Sequence, residues 1–117
     1  RMFRMRRQKA NADGVKLKIV SKKIRSSANG EDCTLNILRV CNYDPSTVVF
    51  CHFPSESKGM SKKSDDISGG YGCFACHQVI DGVVKSEEFK EFGEWYLRRS
   101  MTRTHLKLID KGIMVIK

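Results

Sequence analysis

Cys73, Cys76, His77 and Asp81 lie together in the stretch 73–82, and all four side chain types can ligate a metal ion. The Cys73-x-x-Cys76 pair has the spacing of half a zinc knuckle. A helix beginning near Cys76 would set His77 and Asp81 on one face about one turn apart, where an imidazole and a carboxylate can share a divalent cation. Cys33 and Cys41 could complete a four-thiolate site with Cys73 and Cys76. Their spacing is looser than the two to four intervening residues usual for structural zinc, and burial as small apolar side chains is the alternative. Cys73-Phe74-Ala75-Cys76-His77 also has the form of a c-type haem attachment sequence. That chemistry needs an exported chain, and the basic residues 1–7 are not followed by the apolar segment of a signal peptide.

His52 is the second chemical focus. It comes at the end of Thr47-Val48-Val49-Phe50-Cys51-His52-Phe53, a β-branched and aromatic run that Pro54 stops and the clearest strand in the chain. Hydrolysis of a phosphodiester needs a base to take a proton from water and a cation to neutralise developing charge. His52 together with His77 and Asp81 would supply both. Taken singly, each has a structural explanation: a hydrogen-bonded histidine at the core edge, a zinc-ligating histidine, and a helix-terminal aspartate before Gly82.

These groups must be positioned by one small domain, because 117 residues build one modest core. Residues 1–14 read as a polar, turn-like lead, and residues 15–20 alternate apolar and basic as a half-exposed strand would. Ser26-Ser27-Ala28-Asn29-Gly30 is a loop, so the expected organisation is a basic, flexible arm over 1–25 and a compact body over 26–117. Asn42-Tyr43-Asp44-Pro45 makes a turn, and residues 55–72 form a long loop leading into a short strand or turn. Ser86 can cap a second helix, with Glu87 and Glu88 in its first turn. Phe89, Phe92, Tyr96, Leu97, Met101 and Leu108 recur at helical spacing with Trp95 beside them, which predicts a core-packing helix of about seven turns stopped at Gly112. Residues 113–116 read as a short closing strand.

Charge is divided unevenly. Residues 1–25 hold ten Lys or Arg against the single acid Asp13, whereas 26–117 hold twelve of each sign. A basic arm on a neutral body suits a polyanion, most simply a nucleic acid, the alternative being a solvated tail. The arm contacts would be Arg4, Arg6, Arg7, Lys16, Lys18, Lys22, Lys23 and Arg25, with Lys58, Lys62 and Lys63 added from the loop. No apolar run is long enough to span a membrane. Five cysteines in a chain expected to be cytoplasmic favour metal or thiol chemistry over a disulfide framework.

The strand with His52, the loop, and Cys73-x-x-Cys76-His77-x3-Asp81-Gly82 on a helix together resemble the HNH, or ββα-metal, nucleases. The resemblance is strongest to small prophage-encoded proteins of the YbcO and Ref type, Ref being a RecA-dependent DNA nuclease. Gly30-Glu31-Asp32-Cys33-Thr34-Leu35, Asp65-Asp66-Ile67 and Tyr71-Gly72-Cys73-Phe74-Ala75-Cys76-His77 carry it, from about residue 22 to the C-terminus. It implies an α+β fold: a zinc-stabilised ββα-metal domain extended by a long helix and a short strand. It also implies a DNA endonuclease of phage recombination or repair, with a RecA-type filament as a conceivable partner. His52 would be the general base, oriented by Asp66 or else Asp65. His77 and Asp81 would hold a catalytic magnesium, manganese or zinc ion, and Cys33, Cys41, Cys73 and Cys76 a structural zinc. Cys51 departs from the pattern by standing where a hard metal ligand is usual, which leaves a catalytically inactive, zinc-stabilised binding module as the alternative.

Overall fold

Residues 19–53 and 65–117 are described by the computed structural model. Arg4, Arg6, Arg7, Lys16, Lys18, Lys58, Lys62 and Lys63 lie outside them, as do most of the strand expected over 15–20 and most of the 55–72 loop. The fold is mixed α+β, in the order α1 (Lys22–Ser26), β1 (Val49–His52), β2 (Gly69–Gly72), α2 (Phe74–Ile80) and α3 (Glu87–Asp110). The two strands form one antiparallel sheet, pairing Val49 with Gly72 and His52 with Gly69.

Strand alternation separates two neighbours with different fates. Cys51 is fully buried, whereas His52 at the strand end keeps part of its ring in solvent. β2 is buried along its whole length, and its glycines let other elements approach closely. A Cβ at Gly70 would collide with Ser100 Oγ and crowd Thr104 Oγ1 at 3.0 Å, while one at Gly72 would meet Cys51 Sγ at 2.7 Å.

α1 starts at Ser21, whose hydroxyl accepts the Ile24 amide at 3.2 Å, and it buries Ile24. The boundary expected after residue 25 therefore falls inside a helix that packs on the body. α2 is capped by a cysteine: Cys73 Sγ accepts the Cys76 amide at 3.4 Å. Beyond its C-cap at Asp81, Gly82 takes a left-handed φ of 81°, a conformation that glycine adopts without penalty.

α3 begins as expected, with Ser86 Oγ accepting the Phe89 amide at 3.1 Å and two glutamates in the first turn. Its buried face differs from the predicted apolar stripe. Tyr96, Ser100, Thr104 and Leu108 are buried, Phe89, Leu97 and Met101 pack partly against the core, and Phe92 and Trp95 are exposed. A break in helical geometry at Phe92, φ −118° and ψ 20°, changes the phase of the apolar pattern and turns that ring outward. The hydroxyls are where helix and hairpin meet. Thr34 Oγ1 lies 2.7 Å from Ser100 Oγ and donates to the Tyr71 carbonyl at 2.9 Å, and Thr104 Oγ1 accepts the Tyr71 amide at 3.1 Å. Buried polar groups of this kind are tolerated because each finds a partner.

Residues 113–116 do not form the expected strand. The Leu108 carbonyl accepts the amides of Ile113 and Met114 at 2.9 and 3.1 Å, so the chain folds back to satisfy the end of α3. The core is assembled from Leu35, Ile37, Val48, Phe53, Tyr71, Val79 and Tyr96 together with four of the five cysteines.

Candidate metal centre and charged site

Cys33, Cys41, Cys73 and Cys76 converge with their sulfurs all within 4.8 Å of one another. Tetrahedral bonds of about 2.3 Å from a metal to each sulfur require sulfurs roughly 3.8 Å apart, and the Cys41 and Cys73 sulfurs are 3.8 Å apart. The four side chains can therefore hold one metal ion. Backbone and side-chain donors already point at them: the Asn36 amide to Cys33 at 3.4 Å, the Asn42 amide to Cys73 at 3.5 Å and Asn36 Nδ2 to Cys41 at 3.4 Å. Such donors favour thiolates over thiols. The hydrogen bond from Cys76 lowers the Cys33 pKa to about 5 and raises that of Cys76, while burial raises Cys41 to about 11.

The wide Cys33–Cys41 spacing is accommodated by an unusual backbone. Asn36, Arg39 and Tyr43 have φ of 44°, 66° and 56°, three left-handed residues that are not glycine. Each costs on the order of 1–3 kcal/mol, most cheaply at asparagine. Asn36 and Arg39 lie between the two cysteines and curl that segment so that both face the start of α2, and Tyr43 turns the chain after Cys41.

His52 and Asp66 come together beside the hairpin. Asp66 is buried, and its Oδ1 accepts His52 Nε2 at 2.7 Å. The same carboxylate accepts the Ser21 amide at 2.6 Å and both of its oxygens receive Arg25 Nε, at 3.0 and 2.9 Å. Burial opposes its ionisation, but the Ser21 amide, His52 and Arg25 outweigh burial and hold its pKa below the ordinary carboxylate value. Asp65 faces the other way along the chain, accepting the Ile19 amide at 2.9 Å, and the Asp66 amide donates back to the Ile19 carbonyl. Residues 19–25 thus clasp residues 65 and 66. Arg25, expected to contact phosphate, is occupied by Asp66; Lys22 and Lys23 are exposed on α1.

His77 and Asp81 meet one turn apart on α2, as their spacing predicts, with Nε2 and Oδ2 3.1 Å apart. Both are partly exposed. Among the described residues the four cysteines form the only cluster of three or more potential metal ligands, so His52 is not gathered with His77 and Asp81 into a further one. Cys51 belongs to the core, its sulfur 3.7 Å from the Val49 carbonyl, and burial pushes its thiol pKa up. It faces away from His52 and offers the site no ligand.

The clasp through Ser21 and Arg25 could not be found from local pattern, since the Arg25–Asp66 contact spans 41 positions. It leads to a pH prediction. The folded pKa of Asp66 is depressed, so its contribution to stability is complete above the ordinary carboxylate value and is lost as pH falls through the lower, folded value. Asp66→Asn should cost about 2 kcal/mol at neutral pH, a charge-assisted hydrogen-bond loss, and should flatten this acid dependence. Urea unfolding at a series of pH values between about 6 and 2 would show a steeper loss for wild type than for the variant; parallel curves would contradict the role given to Asp66.

The chain is thus an α+β domain with a two-stranded sheet, four cysteines that could hold one metal ion, and a histidine hydrogen-bonded to a buried aspartate. The family described as "Putative nuclease YbcO" matches residues 22–113, and the chain belongs to it. A relative named "Putative nuclease YbcO" from Escherichia coli strain K12 is 36% identical over 92 residues, 78% of this chain and 95% of the relative. One named "Putative nuclease ybcO" from Enterobacteria phage 82 matches with the same identity and coverage. A solved structure titled "Structure of a putative bacteriophage protein from Escherichia coli str. K-12 substr. MG1655" superposes with a TM-score of 0.57 at 28% identity, covering 77% of this chain and all of that one. The YbcO part of the sequence resemblance is thereby met. Among the described residues no helix is long and apolar enough to cross a membrane.

Proposed function

We propose that the chain is a metal-dependent DNA endonuclease of the ββα-metal type, acting in phage or prophage recombination or repair. The carrying observation is the 2.7 Å hydrogen bond that fixes the His52 ring on an ionised, buried Asp66. Because an ionised carboxylate only accepts, Nε2 carries the proton and Nδ1 presents its lone pair. The free ring nitrogen can take a proton from water, and Asp66 stabilises the imidazolium that results, as the aspartate of a Ser-His-Asp triad does.

In this reading His52 Nδ1 removes a proton from water as the water oxygen attacks phosphorus, and the bond from phosphorus to the 3′ oxygen breaks in line. His77 and Asp81 would hold the divalent cation, a mixed nitrogen and oxygen pair suited to magnesium, manganese or zinc. Such a cation would supply charge neutralisation at the phosphate and at the departing oxygen. Cys33, Cys41, Cys73 and Cys76 would hold a structural zinc, all-thiolate coordination being characteristic of closed zinc sites. The names of the relatives support nuclease activity on nucleic acid. A RecA-type filament as partner, a cytoplasmic location, and phosphate contacts by Arg4, Arg6, Arg7, Lys16, Lys18, Lys22, Lys23, Lys58, Lys62 and Lys63 belong to the same reading and come from the sequence.

Nicking of supercoiled plasmid with added magnesium, manganese or zinc is the direct test. Metal-dependent conversion to the nicked form is the expected outcome. Bound DNA with no cleavage under any of the three metals would replace the enzyme by a zinc-stabilised binding module.

A further inference from the structure

One flank of α3 is both cationic and aromatic, and neither the core nor the proposed catalytic groups use it. Trp95 is 54% exposed, with the Arg99 guanidinium stacked 4.4 Å from its ring centroid and the Tyr96 ring edge-on to it at 5.0 Å. Trp95, Arg98, Arg99, Thr102 and Arg103 line a shallow cleft of about 280 Å³, as helical spacing of three and four requires. Among the described residues no carboxylate lines that cleft.

The charges there are only weakly compensated. Arg99 Nη2 donates to the Leu35 carbonyl at 2.9 Å and Arg103 Nη1 to Asn36 Oδ1 at 3.0 Å, both neutral acceptors. Burial first, and then the adjacent Arg103 charge, lower the Arg99 pKa. Arg98 pairs with Glu94 only at 3.9 Å, between side chains 78% and 93% exposed, where solvent screens the attraction. An exposed indole stacked on one guanidinium, with two more on the same flank, matches a ligand that is both anionic and flat.

We infer that this flank of α3 binds a single nucleic-acid strand, an unpaired base stacking on Trp95 while Arg98 and Arg103 meet its phosphates. An acidic peptide would satisfy the arginines, but it has no π-face to offer the indole, whereas every base does. The choice of nucleic acid rests on the nuclease reading, which the inference deepens by giving the substrate an unpaired stretch. The contact differs from those expected of the N-terminal arm, so the two are separable.

Trp95 is the single tryptophan of the chain, so its emission reports on this surface alone. Titrating the full chain with oligothymidylate, without added divalent metal, should quench that emission saturably. The affinity should fall with salt by roughly 0.7 log units per log unit of salt for each phosphate contact. The double variant Arg98→Ala, Arg103→Ala should lower that slope by roughly two contacts' worth, about 1.4. With a labelled oligonucleotide followed by anisotropy, Trp95→Ala should bind about tenfold more weakly and Trp95→Phe should recover most of the loss. Circular dichroism of each variant would establish that it is folded.

Oligonucleotide binding seen by anisotropy with Trp95 emission unchanged would overturn the proposal, as would absence of binding. Equal quenching by polyglutamate at the same salt would reassign the surface to an acidic protein. Plasmid nicking measured on the same preparation separates the two ideas. Quenching without cleavage retains the surface and removes the nuclease reading, whereas cleavage without quenching does the reverse.

Discussion

His52→Ala is expected to slow DNA cleavage about 10²- to 10⁴-fold, the range for loss of a general base, with folding and DNA affinity close to wild type. The His52 ring is partly exposed, so its removal opens no core cavity. Asp66 keeps the Ser21 amide and Arg25 when the ring is gone, which leaves the clasp in place. Initial rates of plasmid nicking, compared with DNA affinity measured by anisotropy, separate a catalytic from a binding defect. A variant rate within about threefold of wild type, well under 1 kcal/mol of barrier, would remove His52 from the base role. Arg25→Ala should produce a smaller defect with a displaced pH–rate profile, because Arg25 acts through Asp66 and touches no reacting atom.

Removing the zinc proposed for Cys33, Cys41, Cys73 and Cys76 is expected to unfold the body. Structural zinc contributes about 10–16 kcal/mol in small zinc-finger peptides, comparable to or greater than the whole stability of a typical domain. Here Cys33, Cys73 and Cys76 are themselves core residues, and the left-handed residues 36, 39 and 43 hold a backbone that their own preferences oppose. Native mass spectrometry would count the bound ions. Chelator titration followed by far-UV circular dichroism should then show helix loss coincident with metal release, and Cys73→Ser should behave like the chelated protein. An unchanged unfolding midpoint after complete removal would mean that packing alone supports the fold.

The sequence was informative where chemistry is local. The C-x-x-C pair, the strand ending at His52, the i,i+4 relation of His77 and Asp81, and both ends of α3 are set by residues close together in the chain. The buried face of α3 was not legible, because Ser100 and Thr104 are ordinary surface residues until a glycine strand and Thr34 supply their partners. Trp95 and Phe92 misled for a related reason. Aromatic residues at helical spacing normally mark a core, and the break at Phe92 changed the phase that the pattern assumed. The Asp66 clasp depends on a segment far upstream whose basic residues, taken alone, suggested contact with phosphate. The wide Cys33–Cys41 spacing looked unfavourable for a knuckle because left-handed φ at Asn36 and Arg39, between the two cysteines, leaves little mark in sequence.

The Thr34 and Thr104 contacts with Tyr71 also close one border of the sheet. In a hairpin, the outward amide and carbonyl of a border strand can recruit a strand from another molecule. Here the outward amide of Tyr71 is taken by Thr104, and its carbonyl by the backbone and hydroxyl of Thr34. A two-stranded sheet is thus finished on the β2 side by a loop and a helix in place of a third strand. At Tyr71 the border has no free backbone group to offer a strand from another molecule, and the loop that blocks it there is the one that brings Cys33 to the four-cysteine cluster.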